Sequence, residues 1–259
     1  MKKALLVVSF GTSYPETRKL TIEQVEKDLS AAFPDRKFFR AWTSRMIINA
    51  IRKKTGEQIL SVSETLDEML KEGIRDVLIQ TTHFVPGIEY NRLLSDIDAF
   101  KDKFDSIRIG APLLSSGEDR IKVAHVLRNK FDFIEKDSVL LFMGHGTDHP
   151  VNAVYDDINR IFREFRYDNF FLGTIEARPD ISDTALWLRE KNPSKIYLTP
   201  FMLVAGDHAN NDLAGDKDDS WKSVLTRENY EVSAILKGMG EYDGIRAIYV
   251  DHAINAESV

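Results

Sequence analysis

Short runs of consecutive apolar residues alternate along this chain with longer segments in which apolar residues recur every three or four positions. The short runs, 4–9, 37–43, 76–81, 106–110, 138–143, 169–175, 195–199 and 231–236, have the length and character of buried strands. The longer segments, 15–32, 57–71, 120–130, 151–165 and 182–191, carry the period of helices that bury one face. Pro15 and Pro150 stand where a first helical turn tolerates a residue without an N–H, and Gly73 stands where a helix would stop. Strands and helices in alternation predict an α/β protein with parallel sheets covered by helices on both faces.

A weak internal repeat refines that picture. Ala4-Leu5-Leu6-Val7-Val8-Ser9-Phe10-Gly11-Thr12 aligns with 138–147 when Gly11-Thr12 is laid on Gly146-Thr147. Further along, Val85-Pro86-Gly87-Ile88-Glu89-Tyr90-Asn91 aligns with 204–210, which lays Glu89 on His208. The repeat predicts two similar lobes, each a four-stranded parallel sheet flanked by helices. The expected boundaries are 1–134 for the N-terminal lobe and 135–259 for the C-terminal one, with the last helix able to pack back on the first lobe.

Ligands of open α/β sheets bind beyond the carboxyl ends of the strands. The segments there hold four of the six histidines. His145, Glu176 and His208 each follow a different strand and converge if those strands are neighbours. Two imidazoles and a carboxylate make a first shell for zinc, cobalt, nickel or iron that leaves positions open. Gly144 and Gly146 free the backbone around His145 to turn sharply. Each histidine also has a plainer reading, since a histidine after a strand is ordinarily a hydrogen-bonded loop residue. His149 is expected to cap the helix that begins at Pro150, His83 to lie beside the site, and His125 and His252 to be structural or solvent-facing.

Charge and composition remove other classes. A formal net charge of −6 is a poor match for a phosphate backbone, so no nucleic-acid partner is expected. With no cysteine, thiolate ligands, disulfides and cysteine-ligated clusters are excluded. Neither Gly11-Thr12-Ser13 nor Gly144-His145-Gly146-Thr147 matches a dinucleotide fingerprint or a Walker loop. The acidic stretch 212–219 lacks the spacing of a calcium loop and reads as a solvated loop entering a helix at Ser220-Trp221. The first apolar run is short and lacks a small-residue cleavage site, so it reads as a buried strand rather than a signal peptide. No run is long enough to span a membrane, and the cytoplasm is the expected compartment. Self-association is compatible with all of this.

Four segments together resemble a known family. They are Leu6-Val7-Val8-Ser9-Phe10-Gly11-Thr12-Ser13, the stretch 81–90, Met143-Gly144-His145-Gly146-Thr147, and 200–212 with its Gly206-Asp207-His208-Ala209-Asn210. The chain resembles the class II tetrapyrrole chelatases, specifically the anaerobic-type sirohydrochlorin cobaltochelatases, over its whole length. That resemblance implies a two-lobed chelatase fold with the active site in the cleft between lobes. It implies metal-binding roles for His145, His208 and Glu176, and a role for Glu89 in metal binding or proton handling. It also implies cobalt insertion into sirohydrochlorin, or a reduced precursor of it, on the anaerobic route to cobalamin, with no cofactor beyond the divalent metal itself. A polycarboxylate macrocycle calls for donors, for which Arg45, Arg92 and Arg178 offer charge and Ser13, Ser115 and Ser116 neutral hydroxyls, with His83 a further contact. The residues alone also accommodate iron or nickel, a non-catalytic tetrapyrrole or metal carrier, and a metal-dependent hydrolase.

Overall fold

The computed structural model describes residues 2–259. In chain order its strands are β1 (Lys2–Ser9), β2 (Lys37–Trp42), β3 (Ile74–Thr81), β4 (Ser106–Gly110), β5 (Ser138–Gly144), β6 (Phe170–Thr174), β7 (Lys195–Pro200), β8 (Val232–Ala234) and β9 (Glu257–Ser258). The helices are α1 (Pro15–Leu20), α2 (Ile22–Ala32), α3 (Arg45–Thr55), α4 (Val62–Lys71), α5 (Ile88–Asp98), α6 (Gly117–Lys130), α7 (Ala153–Glu164), α8 (Ile181–Lys191), α9 (Trp221–Arg227) and α10 (Asp243–Ile254). The chain divides into two compact units, one running to Ser115 and resuming at Asp243–Val259, the other Ser116–Tyr242.

The first unit holds a sheet ordered β2-β1-β3-β4-β9. Its first four strands are parallel, and the two-residue β9 pairs antiparallel on the β4 edge, an addition the apolar pattern is too short to show. Successive side chains of β1 point to opposite faces. Ala4, Leu6 and Val8 pack with Val62, Leu66 and Met69 of α4 and Leu93 and Ile97 of α5. Leu5 and Val7, equally buried, face the other side. There α10 packs on α2, β3 and β4. Polar contacts fix α10 in this unit. Arg246 Nε donates to Asp28 Oδ2 at 2.6 Å, Tyr249 OH to Thr82 O at 2.9 Å, and His252 Nδ1 to Ala111 O at 3.0 Å.

The second unit is a fully parallel sheet ordered β6-β5-β7-β8. Val139, Leu141 and Met143 of β5 pack with Leu188 of α8 and with Trp221 and Leu225 of α9. On the opposite face Phe142 meets Phe131, Phe162 and Phe170 at ring-centroid distances of 5.7–5.8 Å. The edge strand β6 is tied by buried Asn159 of α7, which donates to Leu172 O at 2.7 Å and accepts from Leu172 N at 2.8 Å. That satisfies backbone groups which a sheet edge otherwise leaves open.

Several boundaries differ from the expected ones for local reasons. The sequence pattern puts the division at 134/135, whereas the structure divides at Ser115/Ser116, because α6 packs on α7 and Arg120 pairs with Asp157. The expected helix 15–32 is two helices, broken at Thr21, whose hydroxyl donates back to Thr17 O at 2.5 Å. The helix expected from 57 starts at Val62, where Ser61 and Glu64 form a capping box. Helices α3 and α5 have no counterpart among the predicted segments.

Arg36 makes a paired contact with Asp76 on β3 (2.9 and 3.1 Å) and also donates to Ala4 O at 3.1 Å. Its side chain is only 6% exposed. Removing one partner of such a pair strands the other charge. Asp76→Ala is therefore expected to cost about 3 kcal/mol, read as a lower urea midpoint at unchanged m-value. A change below about 0.5 kcal/mol, the usual effect of a surface substitution, would show that the pair contributes nothing net.

Candidate metal centre

Parallel pairing carries on past the ends of the strands in the second unit. Phe201 N donates to Met143 O at 2.7 Å, Ile175 N to Gly144 O at 3.1 Å, and Glu176 N to His145 O at 2.9 Å. The loops after β5, β6 and β7 are thereby held side by side, and they bring His145 and His208 together. The two imidazole rings lie 4.8 Å apart between centroids, at 87° to each other.

Each ring has one nitrogen engaged. His145 Nδ1 lies 2.9 Å from Gly146 O, and a carbonyl only accepts, so the tautomer inferred from that partner carries its proton on Nδ1. His208 Nδ1 lies 2.7 Å from Asp212 Oδ2, with the same consequence. Both rings therefore offer Nε2 as a free lone pair. Glu176 joins from the third loop, 3.4 Å from His145 Nδ1, with a side chain 55% exposed. Its nearest approach is thus to the nitrogen facing away from the open lone pair. Among the described residues no three His, Asp or Glu side chains form a ready-made metal cage. What the structure brings together is a histidine pair with an exposed carboxylate beside it.

The loop carrying His145 is fitted closely. A Cβ on Gly144 would lie 2.7 Å from the Tyr155 ring, and one on Gly146, at φ +83°, would lie 2.9 Å from Ala177 N. Gly146 N donates to the Tyr155 hydroxyl at 3.4 Å, and Thr147 N to Asn152 Oδ1 at 3.1 Å. Asn152 in turn donates to Arg178 O at 2.7 Å, joining the β5 and β6 loops. His149 does cap the turn at Pro150, its Nδ1 accepting from Val151 N at 3.2 Å. His125 bonds the Tyr167 hydroxyl at 2.7 Å and is structural.

The first unit repeats this scaffold bond for bond. Thr82 N donates to Val8 O, Thr43 N to Ser9 O and Ser44 N to Phe10 O at 2.8, 2.9 and 3.2 Å. Thr12 Oγ1 accepts from Tyr14 N, and Thr147 Oγ1 from His149 N, both at 3.2 Å. Gly11 shares the positive φ of Gly146. In register, Phe10 occupies the place of His145 and Glu89 that of His208. Phe10 is 44% exposed, an apolar group where the second unit has an imidazole.

The family model described as Cobalt chelatase (CbiK) matches residues 3–258. This chain belongs to the CbiK cobalt chelatase family. The sirohydrochlorin cobaltochelatase of Salmonella typhimurium is 38% identical over 252 residues, covering 97% of this chain and 95% of that protein. Sirohydrochlorin cobaltochelatase CbiKC of Nitratidesulfovibrio vulgaris is 32% identical over 264 residues, covering 99% and 91%. The solved structure of SirB from Bacillus subtilis with Fe3+ shares the fold at TM-score 0.66 and 11% identity, covering 98% of this chain and 95% of that one.

For this CbiK-family chain the remaining site expectations sort by what each side chain already does. Glu89 lies in the first turn of α5 and is ion-paired with Arg92 on the same helix. Arg178 is paired with Asp183, and Ser116 is the N-cap of α6, bonded to Asp119 in a capping box. Ser115 donates to Pro112 O at 2.7 Å. Ser13 is half-buried after β1, and Arg45 is exposed in the first turn of α3. Asp212, read from sequence as part of a solvated acidic loop, is instead the partner of His208. The signal was its position four residues after a histidine, one helical turn away.

His83 follows β3, with Nδ1 2.5 Å from Thr81 Oγ1 and Nε2 3.5 Å from Thr43 Oγ1. Its backbone carbonyl accepts from Leu113 N at 3.0 Å. It pins three loops together, and desolvation by the surrounding protein pushes its pKa down to about 4 from 6.5. The unfolded chain takes up this proton first, so the stability held in full above pH 6.5 declines as pH falls towards 4 and is constant below. His83→Gln should flatten the acid limb of the stability–pH curve by up to one proton in that window. An unchanged slope would contradict the assignment. Separately, Gly146→Ala should lower stability by about 1–3 kcal/mol through left-handed strain and contact with Ala177. It should also weaken Co2+ binding, and a variant that melts and binds like wild type would show the loop to be loose.

Proposed function

We propose that this chain inserts Co2+ into sirohydrochlorin on the route to cobalamin, using His145 and His208 to hold the incoming ion. The observation that carries this reading is the pair of imidazoles 4.8 Å apart, each with Nδ1 occupied and Nε2 open. The metal and macrocycle come from family membership and from the names of relatives 38% and 32% identical over nearly the whole chain. The donor set by itself does not select cobalt, since affinity for such sites rises from iron through cobalt to nickel.

Insertion asks for an ion partly stripped of water, a macrocycle whose nitrogens face it, and an acceptor for the protons leaving the pyrrole N–H groups. Neutral imidazoles bind a borderline metal firmly but reversibly, so they can be exchanged one at a time for macrocycle nitrogens. We assign Glu176 as the third ligand, reached by turning its exposed side chain from Nδ1 of His145 towards the ion. Glu89 is the first unit's carboxylate for metal or proton handling, released from Arg92 as substrate binds. Arg45, Arg92, Arg178, Ser13 and Ser115 are the donors we assign to substrate carboxylates. The reaction is placed in the cytoplasm and needs neither ATP nor a redox cofactor.

The test is a metal-insertion assay followed by the absorbance change of metal-free sirohydrochlorin, run with Co2+, Fe2+ and Ni2+. Wild type should turn over with Co2+. His145→Ala and His208→Ala should lose more than the roughly 10–100-fold that loss of an outer-shell partner costs, while staying folded. Near-normal turnover by either variant would remove that histidine from the mechanism. Binding of both metal and macrocycle without acceleration would make the protein a carrier.

A further inference from the structure

We propose that Asp212 is a positioning residue that locks His208 with its proton on Nδ1, so that Nε2 is always the nitrogen presented to the metal ion. The proposal rests on the reading of His208 as a metal ligand. Three observations carry it: a direct contact, a backbone irregularity and the repeat.

The contact is the 2.7 Å approach of Asp212 Oδ2 to His208 Nδ1. An ionised carboxylate only accepts hydrogen bonds, so it selects the Nδ1–H form of the ring. A carboxylate behind a ligating imidazole also fixes ring orientation and raises the basicity of the opposite nitrogen. His145 has a neutral carbonyl in the corresponding role, so the two ligands are held by different means.

The irregularity is a single turn of π-helix over Ala209–Leu213, in which Ala214 N donates to Ala209 O at 3.2 Å. Such turns amount to one residue inserted into an α-helix, and they gather at functional sites. The repeat shows which residue is extra. Gly87 and Gly206 open equivalent turns, each accepting from the asparagine four residues on, Asn91 at 2.9 Å and Asn210 at 3.1 Å. In the first unit α5 runs on regularly and buries Leu93, the sixth residue past Gly87. In the second unit the fully buried leucine is Leu213, the seventh past Gly206. Without the extra residue, the position four past His208 would point into the core, as Leu93 does four past Glu89. The π turn slips Asp212 in ahead of that leucine and leaves it beside His208, the two side chains 45% and 37% exposed.

The surroundings keep this turn in place. Asn210 Nδ2 donates to Gly206 O at 2.7 Å and Asn211 Nδ2 to Asp207 Oδ1 at 3.0 Å. Ala209 and Leu213 are fully buried on the inner side. A Cβ on Gly215 would lie 2.3 Å from Asn211 O, so the exit from the turn is tight as well. A turn this closely fixed holds the carboxylate at one distance from the ring.

The experiment pairs Co2+ binding, followed by the visible spectrum of the bound ion, with long-range proton–nitrogen NMR of His208 in metal-free protein. Wild type should show the Nδ1–H tautomer. Asp212→Ala should show a tautomer mixture, bind Co2+ about 10–100-fold more weakly and keep its melting temperature, and Asp212→Glu should recover part of the affinity. Should the alanine variant fail to fold, Asp212→Leu keeps a side chain of similar shape with no acceptor and decides the matter by the same two readouts. Wild-type affinity with an unchanged tautomer in the folded variant overturns the proposal. If His208→Ala binds Co2+ poorly in that case, only the positioning role is lost. If His208→Ala binds normally, the metal reading itself fails.

Discussion

Hydrogen bonding between neighbouring parallel strands, continued one or two residues beyond where the strands end, is the constraint on which the site depends. Phe201 N to Met143 O and Glu176 N to His145 O belong to the same ladder that aligns β5 with β7 and β6. Three loops with no regular structure of their own therefore leave the sheet in fixed register. The imidazoles of His145 and His208 meet across two of these loops, their centroids 4.8 Å apart. Glycine at 144 and 146 is the price of that closeness, since Tyr155 and Ala177 fill the space a side chain would need.

The same constraint operates in the first unit, where it holds Phe10, Ser44 and Glu89 in place of His145, Glu176 and His208. Scaffold bonds recur with nearly equal lengths, while the side chains presented differ completely. A duplicated frame has thus been specialised. One copy presents two imidazoles, and the other an exposed aromatic ring and an ion-paired carboxylate.

Polar groups around the histidines decide how they can be used. Gly146 O and Asp212 occupy the two Nδ1 positions, and Asn152 and Tyr155 hold the loop from below. Membership of the CbiK family names the chemistry, and these contacts engage Nδ1 of each imidazole rather than Nε2. Glu176 stands 3.4 Å from His145 Nδ1 with its side chain 55% exposed.

Much of this was legible in the chain itself. The apolar runs specify eight of the strands because a parallel strand buried on both faces needs an uninterrupted hydrophobic stretch. The paired motifs around Gly11, Gly146, Gly87 and Gly206 reveal the duplication, since a positive φ or a tight turn constrains residue type directly. His145, Glu176 and His208 stand out by following successive strands. Other features depend on long-range packing and leave no local mark. The assignment of α6 to the second unit and α10 to the first rests on which helix each one meets. The partners of Arg92, Arg178 and Ser116, namely Glu89, Asp183 and Asp119, are likewise visible only in the folded chain. Asp212 read as solvent because the acidic stretch 212–219 has the composition of a solvated loop, and the folded turn sets that carboxylate against His208.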